Sequence, residues 1–287
     1  MIGEFPKLLR IHQWHKNGFV LLGFFLLGEY QNYGLLIKAV LMTLAFCLAS
    51  SAVYIFNDFC DIESDRKHPI KKNRPLAAGT IRVEAALPLA VLLLISSLAI
   101  SYFNGSTSLL VISAYLVNNL LYSVFLKSYP IIDTFQIALG FMLRIFAGTE
   151  GIGIVISEWM VITGFMLSLL IGFSKRYAEL SNYSDPRNHR KVLQSYSIET
   201  LRSFVLVMAS STIVTYALYT VSATSIEQHG TTHLIYTTPI VIFGIFRFLY
   251  LVIFNRRGED PADQVLKDKQ LAITCIFWAI TYGLIIS

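Results

Sequence analysis

Charge is what this sequence lacks most. Only 14% of its 287 residues are Asp, Glu, Lys or Arg, against about 25% in a soluble domain. Hydrophobic residues make up 55%, and the mean hydropathy is +0.60. A water-soluble globular fold is excluded. Cysteine is scarce as well. Cys47, Cys60 and Cys275 show no metal-ligand spacing and two lie in apolar runs, which argues against a disulfide framework or a zinc site. No nucleic-acid motif accompanies the basic residues, which hug the ends of apolar runs. A nucleic-acid partner is therefore not expected despite the net charge of +5. No cleavable signal peptide is evident, because the basic N-terminal residues lead straight into the first apolar run. A long linker is missing too.

What is present is a series of runs long enough to cross a bilayer. Nine are found, at roughly 15–32, 36–56, 83–103, 107–126, 131–149, 158–175, 202–222, 233–254 and 269–286. Runs near 20 residues, rather than 10-residue alternation, select helices over a β-barrel. The expected fold is an all-α integral membrane protein, a nine-transmembrane-helix bundle forming a single membrane-embedded domain over residues 1–287. Lys7, Arg10 and Lys16 precede the first run, and the other basic clusters follow runs 2, 4, 6 and 8; the loops after runs 5 and 7 have none. By the positive-inside rule the N-terminus and the even-numbered loops are cytoplasmic and the C-terminus is outside. The protein is expected to be multi-pass in the inner (plasma) membrane, with anionic headgroups meeting its basic side. Inner loops after runs 2 and 6 are the long ones and form a cytoplasmic cap. Each begins with a charged helical extension of a span.

The first extension, Asn57 to His68, with the stretch that follows it to Pro75, carries the strongest chemical signal. On a helix, Asn57, Asp58, Asp61 and Asp65 fall at about 0°, 100°, 40° and 80°, all on one face. Carboxylates so close repel each other unless a cation neutralises them. Hard cations such as Mg²⁺ take carboxylate oxygens and usually bind a substrate phosphate as well. Arg66, Lys67, His68, Lys71, Lys72 and Arg74 supply the counter-charge that a polyphosphate needs. The alternative, a solvated helix end beside the membrane, leaves the one-face spacing unexplained. Pro69 is expected to end the extension.

Three further clusters follow. Lys175, Arg176 and Glu179 again share a helix face. Two cations there can clamp phosphates and Glu179 can join a metal or orient a cation; the plain alternative is a positive-inside anchor with an i,i+4 Lys–Glu pair. In run 5, Asp133, Gln136, Gly140 and Arg144 form a polar stripe. An intramembrane arginine is costly and is either functional or paired, unless Arg144 snorkels to the outer surface. Asn118, Asn119, Tyr122, Ser123 and Lys127 line run 4 and its inner end. Finally, Arg10 to Asn17 places Trp14 at an interface and Lys16 where it can reach a phosphate, or merely anchors the edge.

With these residues, the chain resembles the UbiA superfamily of intramembrane prenyltransferases. That family is known for an Asn-Asp-x-x-Asp-x-x-x-Asp motif, matched by Asn57, Asp58, Asp61 and Asp65. The closer resemblance is to its decaprenyl-phosphate phosphoribosyltransferase branch. It runs through Asp65-Arg66-x-His68-Pro69-x-Lys71-x-x-Arg74-Pro75, Ala77-Ala78-Gly79, Gln13-Trp14-x-Lys16-Asn17, Tyr122-Ser123, Leu126-Lys127, Arg144 with Ala147-Gly148, and Lys175 to Leu180 with Tyr177. Aromatic prenyltransferases of this fold carry a second aspartate-rich motif after span 6. Here Lys175, Arg176 and Glu179 stand instead, with Asp185 off that spacing. The extra positive charge suits a donor with an additional phosphate.

The resemblance implies a UbiA-like bundle and a Mg²⁺-dependent transfer of 5-phosphoribosyl from phosphoribosyl pyrophosphate to a polyprenyl (decaprenyl-like) phosphate, releasing pyrophosphate. It implies Asp58, Asp61 and Asp65 as catalytic metal ligands. Lys16, Arg66, His68, Lys71, Arg74, Lys127, Lys175 and Arg176 become phosphate-binding candidates, with Asn57, Tyr122, Arg144, Tyr177 and Glu179 completing the substrate-binding set. The product would feed arabinose donors for cell-wall glycans. Two other readings stand beside it. A prenyl-diphosphate:aromatic acceptor prenyltransferase would need a second acidic motif. A non-enzymatic lipid transporter would need discontinuous spans near the midplane, whereas the polar groups here cluster at the cytoplasmic mouth. Chain length of the lipid, metal count and oligomeric state, a homo-oligomer included, are left open.

Overall fold

A computed structural model describes residues 2–26, 28, 32–67, 71–182, 191–254 and 267–286. All regular structure among them is helical. A short helix α1 (Phe5–Leu8) and a 3₁₀ stretch (Ile11–Asn17) lead into α2 (Gly18–Leu26). The long α3 (Tyr33–Cys60) and the short α4 (Ile62–Lys67) follow. Next come α5 (Val83–Asn104), α6 (Ser106–Val124), α7 (Ile132–Ala147) and α8 (Glu158–Asn182). The chain finishes with α9 (Ile198–Val221), α10 (Ala223–His229), α11 (Thr238–Leu249) and α12 (Lys269–Ile286).

Eight helical segments among the described residues are long and apolar enough to cross a membrane: Tyr33–Cys60, Val83–Asn104, Ser106–Val124, Ile132–Ile152, Glu158–Asn182, Ile198–Val221, His233–Phe254 and Lys269–Ile286. They match eight of the nine expected runs, and the protein is an integral membrane protein. The remaining run, 15–32, is described only in part. Its helical portion, α2, has 9 residues, about half of the roughly 20 that a span requires. Leu92, Phe103, Leu110, Val214, Ile273 and Leu284 are exposed on the helix surfaces. In a bilayer such side chains meet acyl chains, and helices satisfy their own backbone groups.

Local chemistry sets the helix ends. Asn32, Ser197 and Ser222 cap α3, α9 and α10 by accepting from the N–H groups of Leu35, Thr200 and Ser225. Gly105, the one residue between α5 and α6, takes φ 143°. Only glycine enters that region readily, so the turn depends on it.

The chain forms two compact units. One comprises Met1–Val124 with Leu143–Val155, the other Phe125–Met142 with Ile156–Ser287. The first has a core of Phe24, Met42, Phe46, Ile112, Tyr115 and Leu143 and a smaller cluster of Leu8, Ile55, Leu76 and Ile81. Within it, glycine permits a backbone crossing: a Cβ on Gly148 would lie 1.8 Å from the Val20 carbonyl oxygen, and one on Gly23 would lie 3.0 Å from the Ile145 carbonyl oxygen. Small residues at such crossings are how membrane helices gain packing without a hydrophobic driving force. The second unit packs Leu169, Leu170, Phe173, Leu201, Val205, Phe248 and Leu251. Arg247 binds Asp268 through two bonds, Nε to Oδ1 at 3.1 Å and Nη2 to Oδ2 at 2.7 Å, so it is paired as well as placed near a span end.

Candidate active site

The aspartate run does not form the single extension expected from its spacing. α3 ends at Cys60, Asp61 departs to φ −99°, ψ 6°, and α4 begins at Ile62. The hydrogen bonds continue through the break. The Asp61 N–H donates to the Asn57 carbonyl at 3.0 Å, and the Asp61 carbonyl accepts from the Asp65 N–H at 2.8 Å and from Ser64 Oγ at 2.9 Å. Aspartate is a weak helix former in a helix interior, which suits a break at this position. α4 is described as far as Lys67; Pro69, expected to end the extension, lies outside the described residues, as does His68.

Asp58 and Asp65 still converge. Arg74 Nη1 donates to Asp58 Oδ1 at 2.9 Å and to Asp65 Oδ2 at 2.7 Å. Arg10 Nη2 donates to the same Asp58 oxygen at 2.5 Å. Both acids are buried, at 2% exposure. Asp61 and Asn57 are half-buried and Arg66 is exposed. The loop that delivers Arg74 is itself tied down. The Ala78 N–H donates to the Arg74 carbonyl at 2.8 Å, Arg66 Nε donates to the Ala77 carbonyl at 3.3 Å, and Pro75, Leu76 and Ala77 are buried. Lys71, half-buried, opens this loop.

Two carboxylates on one guanidinium nitrogen are charge-compensated in this arrangement. Among the described residues no three His, Cys, Asp or Glu side chains stand grouped as a metal set. The donors that do converge are carboxylate oxygens, the ligand type of a hard cation. Asp58 Oδ2 and Asp65 Oδ1 accept no hydrogen bond from a described residue, which leaves one oxygen on each acid. This donor set fits Mg²⁺ and does not suit a soft metal.

Arg144 does not snorkel. It is buried, donates from Nε to Asn17 Oδ1 at 2.8 Å and from Nη2 to the Tyr115 hydroxyl at 3.1 Å, and lies 4.9 Å from the Tyr115 ring centroid. Asn17 Nδ2 in turn donates to Ser50 Oγ at 3.3 Å. The half-buried Lys16 is thus adjacent to a fixed residue. Trp14, expected at an interface, donates from Nε1 to Ser51 Oγ at 3.0 Å. Tyr122 is half-buried near the end of α6.

In the second unit, Arg176 is fully buried. Its Nε donates to Asp133 Oδ2 at 2.7 Å and its Nη1 to Glu179 Oε2 at 2.8 Å. The spacing that suggested a phosphate clamp therefore puts this cation on two carboxylates inside the protein, and Glu179 in the role of orienting a cation. Tyr196 completes the arrangement. Its hydroxyl accepts from the Ile131 N–H and approaches Asp133 Oδ1 at 3.5 Å. Burial pushes the Tyr196 phenol up, opposed by the bond from Ile131, so the group stays a neutral donor. Ile131 is a β-branched residue at φ 69°, a backbone position that needs such a clamp. Tyr177 packs in the core, Lys175 is half-buried, and Lys127 is exposed in the 3₁₀ turn Leu126–Ser128.

Sequence patterns did not single out Arg10, Tyr115 or Tyr196. Arg10 lay in a noted segment, but nothing local pairs it with a residue 48 positions away.

The model of the UbiA prenyltransferase family matches residues 18–280. This chain is a member of the UbiA prenyltransferase family. The UbiA match spans both compact units. Decaprenyl-phosphate phosphoribosyltransferase of Corynebacterium glutamicum is 33% identical, with 95% of this chain and 83% of the relative covered. The enzyme of the same name from Mycolicibacterium smegmatis is 32% identical, covering 99% and 92%. In fold, the chain is similar to a UbiA homolog from Archaeoglobus fulgidus solved with GPP and Mg²⁺, with a TM-score of 0.72, 20% identity and 99% of both chains covered.

Proposed function

We propose that this UbiA member transfers the 5-phosphoribosyl group of phosphoribosyl pyrophosphate to a decaprenyl-like polyprenyl phosphate and releases pyrophosphate. The observation that carries this reading is the near full-length similarity to curated decaprenyl-phosphate phosphoribosyltransferases. The converging acids and arginines support it, because they suit a cation and a polyphosphate together.

In the reaction, a phosphate oxygen of the lipid forms a bond to ribosyl C1 while the bond from C1 to the diphosphate oxygen breaks. The bonding pair leaves with pyrophosphate. The attacking phosphate is already anionic, so no strong general base is needed. Asp58, Asp61 and Asp65 would hold Mg²⁺, which when bound neutralises charge developing on the leaving diphosphate. Arg74, Lys71, Arg66 and Lys16 donate to phosphate oxygens, and their fixed charge favours the departing group. Arg144 acts through Asn17, keeping Lys16 in register. Asn57 adjoins Asp58 in sequence, and Tyr122, near the end of α6, is kept in the substrate-binding set on its sequence pattern. Lys127, Lys175 and Glu179 join the substrate-binding set on their sequence pattern; Arg176 acts by orienting Glu179, and Tyr177 packs in the core beside it. Positioning and electrostatics then supply most of the rate. The product, 5-phosphoribosyl-1-phosphoryl-polyprenol, serves as a precursor of cell-wall arabinose donors. The chemistry lies on the cytoplasmic side of the inner membrane, a reading supported by the basic residues of the even-numbered loops.

Purified protein in detergent, given Mg²⁺, a polyprenyl phosphate and ribose-labelled phosphoribosyl pyrophosphate, should move label into the lipid phase. Chelating the metal or changing Asp61→Asn should abolish the transfer. Transfer from a prenyl diphosphate to an aromatic acceptor, with no ribose label in lipid, would overturn the reading.

A further inference from the structure

Arg10 opens a segment already noted but has been given no role in the reaction, yet its position is built. Leu8 is fully buried against α3. Ser51 Oγ donates to the Leu9 carbonyl at 2.8 Å, and Trp14 is bonded to the same hydroxyl. Between these anchors Arg10 takes φ 50°, ψ 47°, a left-handed conformation that non-glycine residues avoid unless their surroundings hold them there. The side chain shows what is gained. Its guanidinium lies 4.5 Å from the Tyr54 ring centroid and bonds Asp58 Oδ1, the oxygen that Arg74 also occupies. One carboxylate oxygen thus carries two guanidiniums.

We propose that Arg10 is a further substrate-binding residue, stored as the counter-ion of Asp58 until a divalent cation and a diphosphate arrive together. This rests on the metal and donor assignment made above. Cation and guanidinium compete for the charge of one carboxylate, so a cation on Asp58 Oδ2 weakens the hold of Oδ1 on Arg10 and frees its N–H donors. The released guanidinium, still close by on Tyr54, takes an oxygen of the diphosphate. Cation and anion binding are thereby coupled with positive sign. An ordinary structural ion pair would give no such coupling.

The test uses full-length protein in detergent with two probes. Mn²⁺ binding alone is followed by electron paramagnetic resonance. Retention of labelled inorganic pyrophosphate is followed at saturating Mn²⁺. In Arg10→Gln, Mn²⁺ alone should bind on the order of tenfold tighter, because a competing charge is gone, and pyrophosphate should bind on the order of tenfold more weakly, because a charged donor is gone. Unchanged Mn²⁺ affinity, or unchanged pyrophosphate retention, would overturn the proposal. Arg10→Lys covers the case in which the glutamine variant does not fold. It keeps the charge and loses the fork, so Mn²⁺ affinity should stay near wild type while pyrophosphate retention falls several-fold; retention equal to wild type refutes the idea. Neither probe involves ribosyl transfer. A protein showing both shifts but no ribose label in lipid would sink the proposed reaction and keep Arg10's role.

Discussion

Arg176 heads the large side chains that are fully buried among the described residues. A guanidinium cannot shed its charge, so Asp133 and Glu179 are what make its burial tolerable. Removing one partner from a buried pair leaves an uncompensated charge and costs about 3–5 kcal/mol. Asp133→Asn should therefore lower the melting temperature in detergent markedly, and Asp133→Leu combined with Arg176→Met should regain most of the loss. A wild-type melting temperature for Asp133→Asn would show that the pair is not structural. The sequence could not separate this role from a phosphate clamp. Helical spacing groups Lys175, Arg176 and Glu179 on one face, but it does not say whether that face meets solvent or core. Only a partner 43 residues away decides it. Arg144 poses the same problem, and its acceptor Asn17 is 127 residues distant. The convergence of Asp58 with Asp65 was more legible because both lie within one short stretch, though Asp61, placed on the same face by the spacing, forms no group of three with them among the described residues.

Among the elements, α2 depends on two glycines, its own Gly23 and Gly148 just after α7, for its place against the end of α7. An alanine at 148 would drive its Cβ to 1.8 Å from a carbonyl of Val20, and a backbone atom cannot swing aside as a side-chain tip can. Gly148→Ala should cost about 3 kcal/mol or more, seen as a lower melting temperature or loss of folded yield. Gly18→Ala, where a Cβ meets nothing within 4 Å, is the matched control and should be neutral or better. Equal behaviour of the two variants would mean that the crossing is loose. The eight long helices were legible because bilayer thickness demands a run length that no other structure imitates. The break at Asp61 was not, since the aspartate spacing reads the same on a continuous helix and on one interrupted by a single residue.

For the whole molecule, the count of crossings fixes which side each end occupies. If run 15–32 crosses, the chain crosses nine times, and a cytoplasmic N-terminus leaves the C-terminus outside. A phosphatase that works only outside the inner membrane, fused after Ser287, should be active. If instead a fluorescent protein that matures only in the cytoplasm lights up there, eight crossings are made. The expected orientation rests on the basic residues alone, and the division into two compact units was not legible, because apolar runs of similar length carry no mark of which of them pack together. The pairing of Arg176 with Asp133 has a consequence for biosynthesis. A chain is made and handed to the bilayer from its N-terminus. Asp133 therefore enters first. Arg176 must enter charged, and its acceptor is already there. Arg144 likewise follows Asn17 and Tyr115. The order of residues along the chain thus spares the insertion machinery a permanently charged group with nothing to meet it.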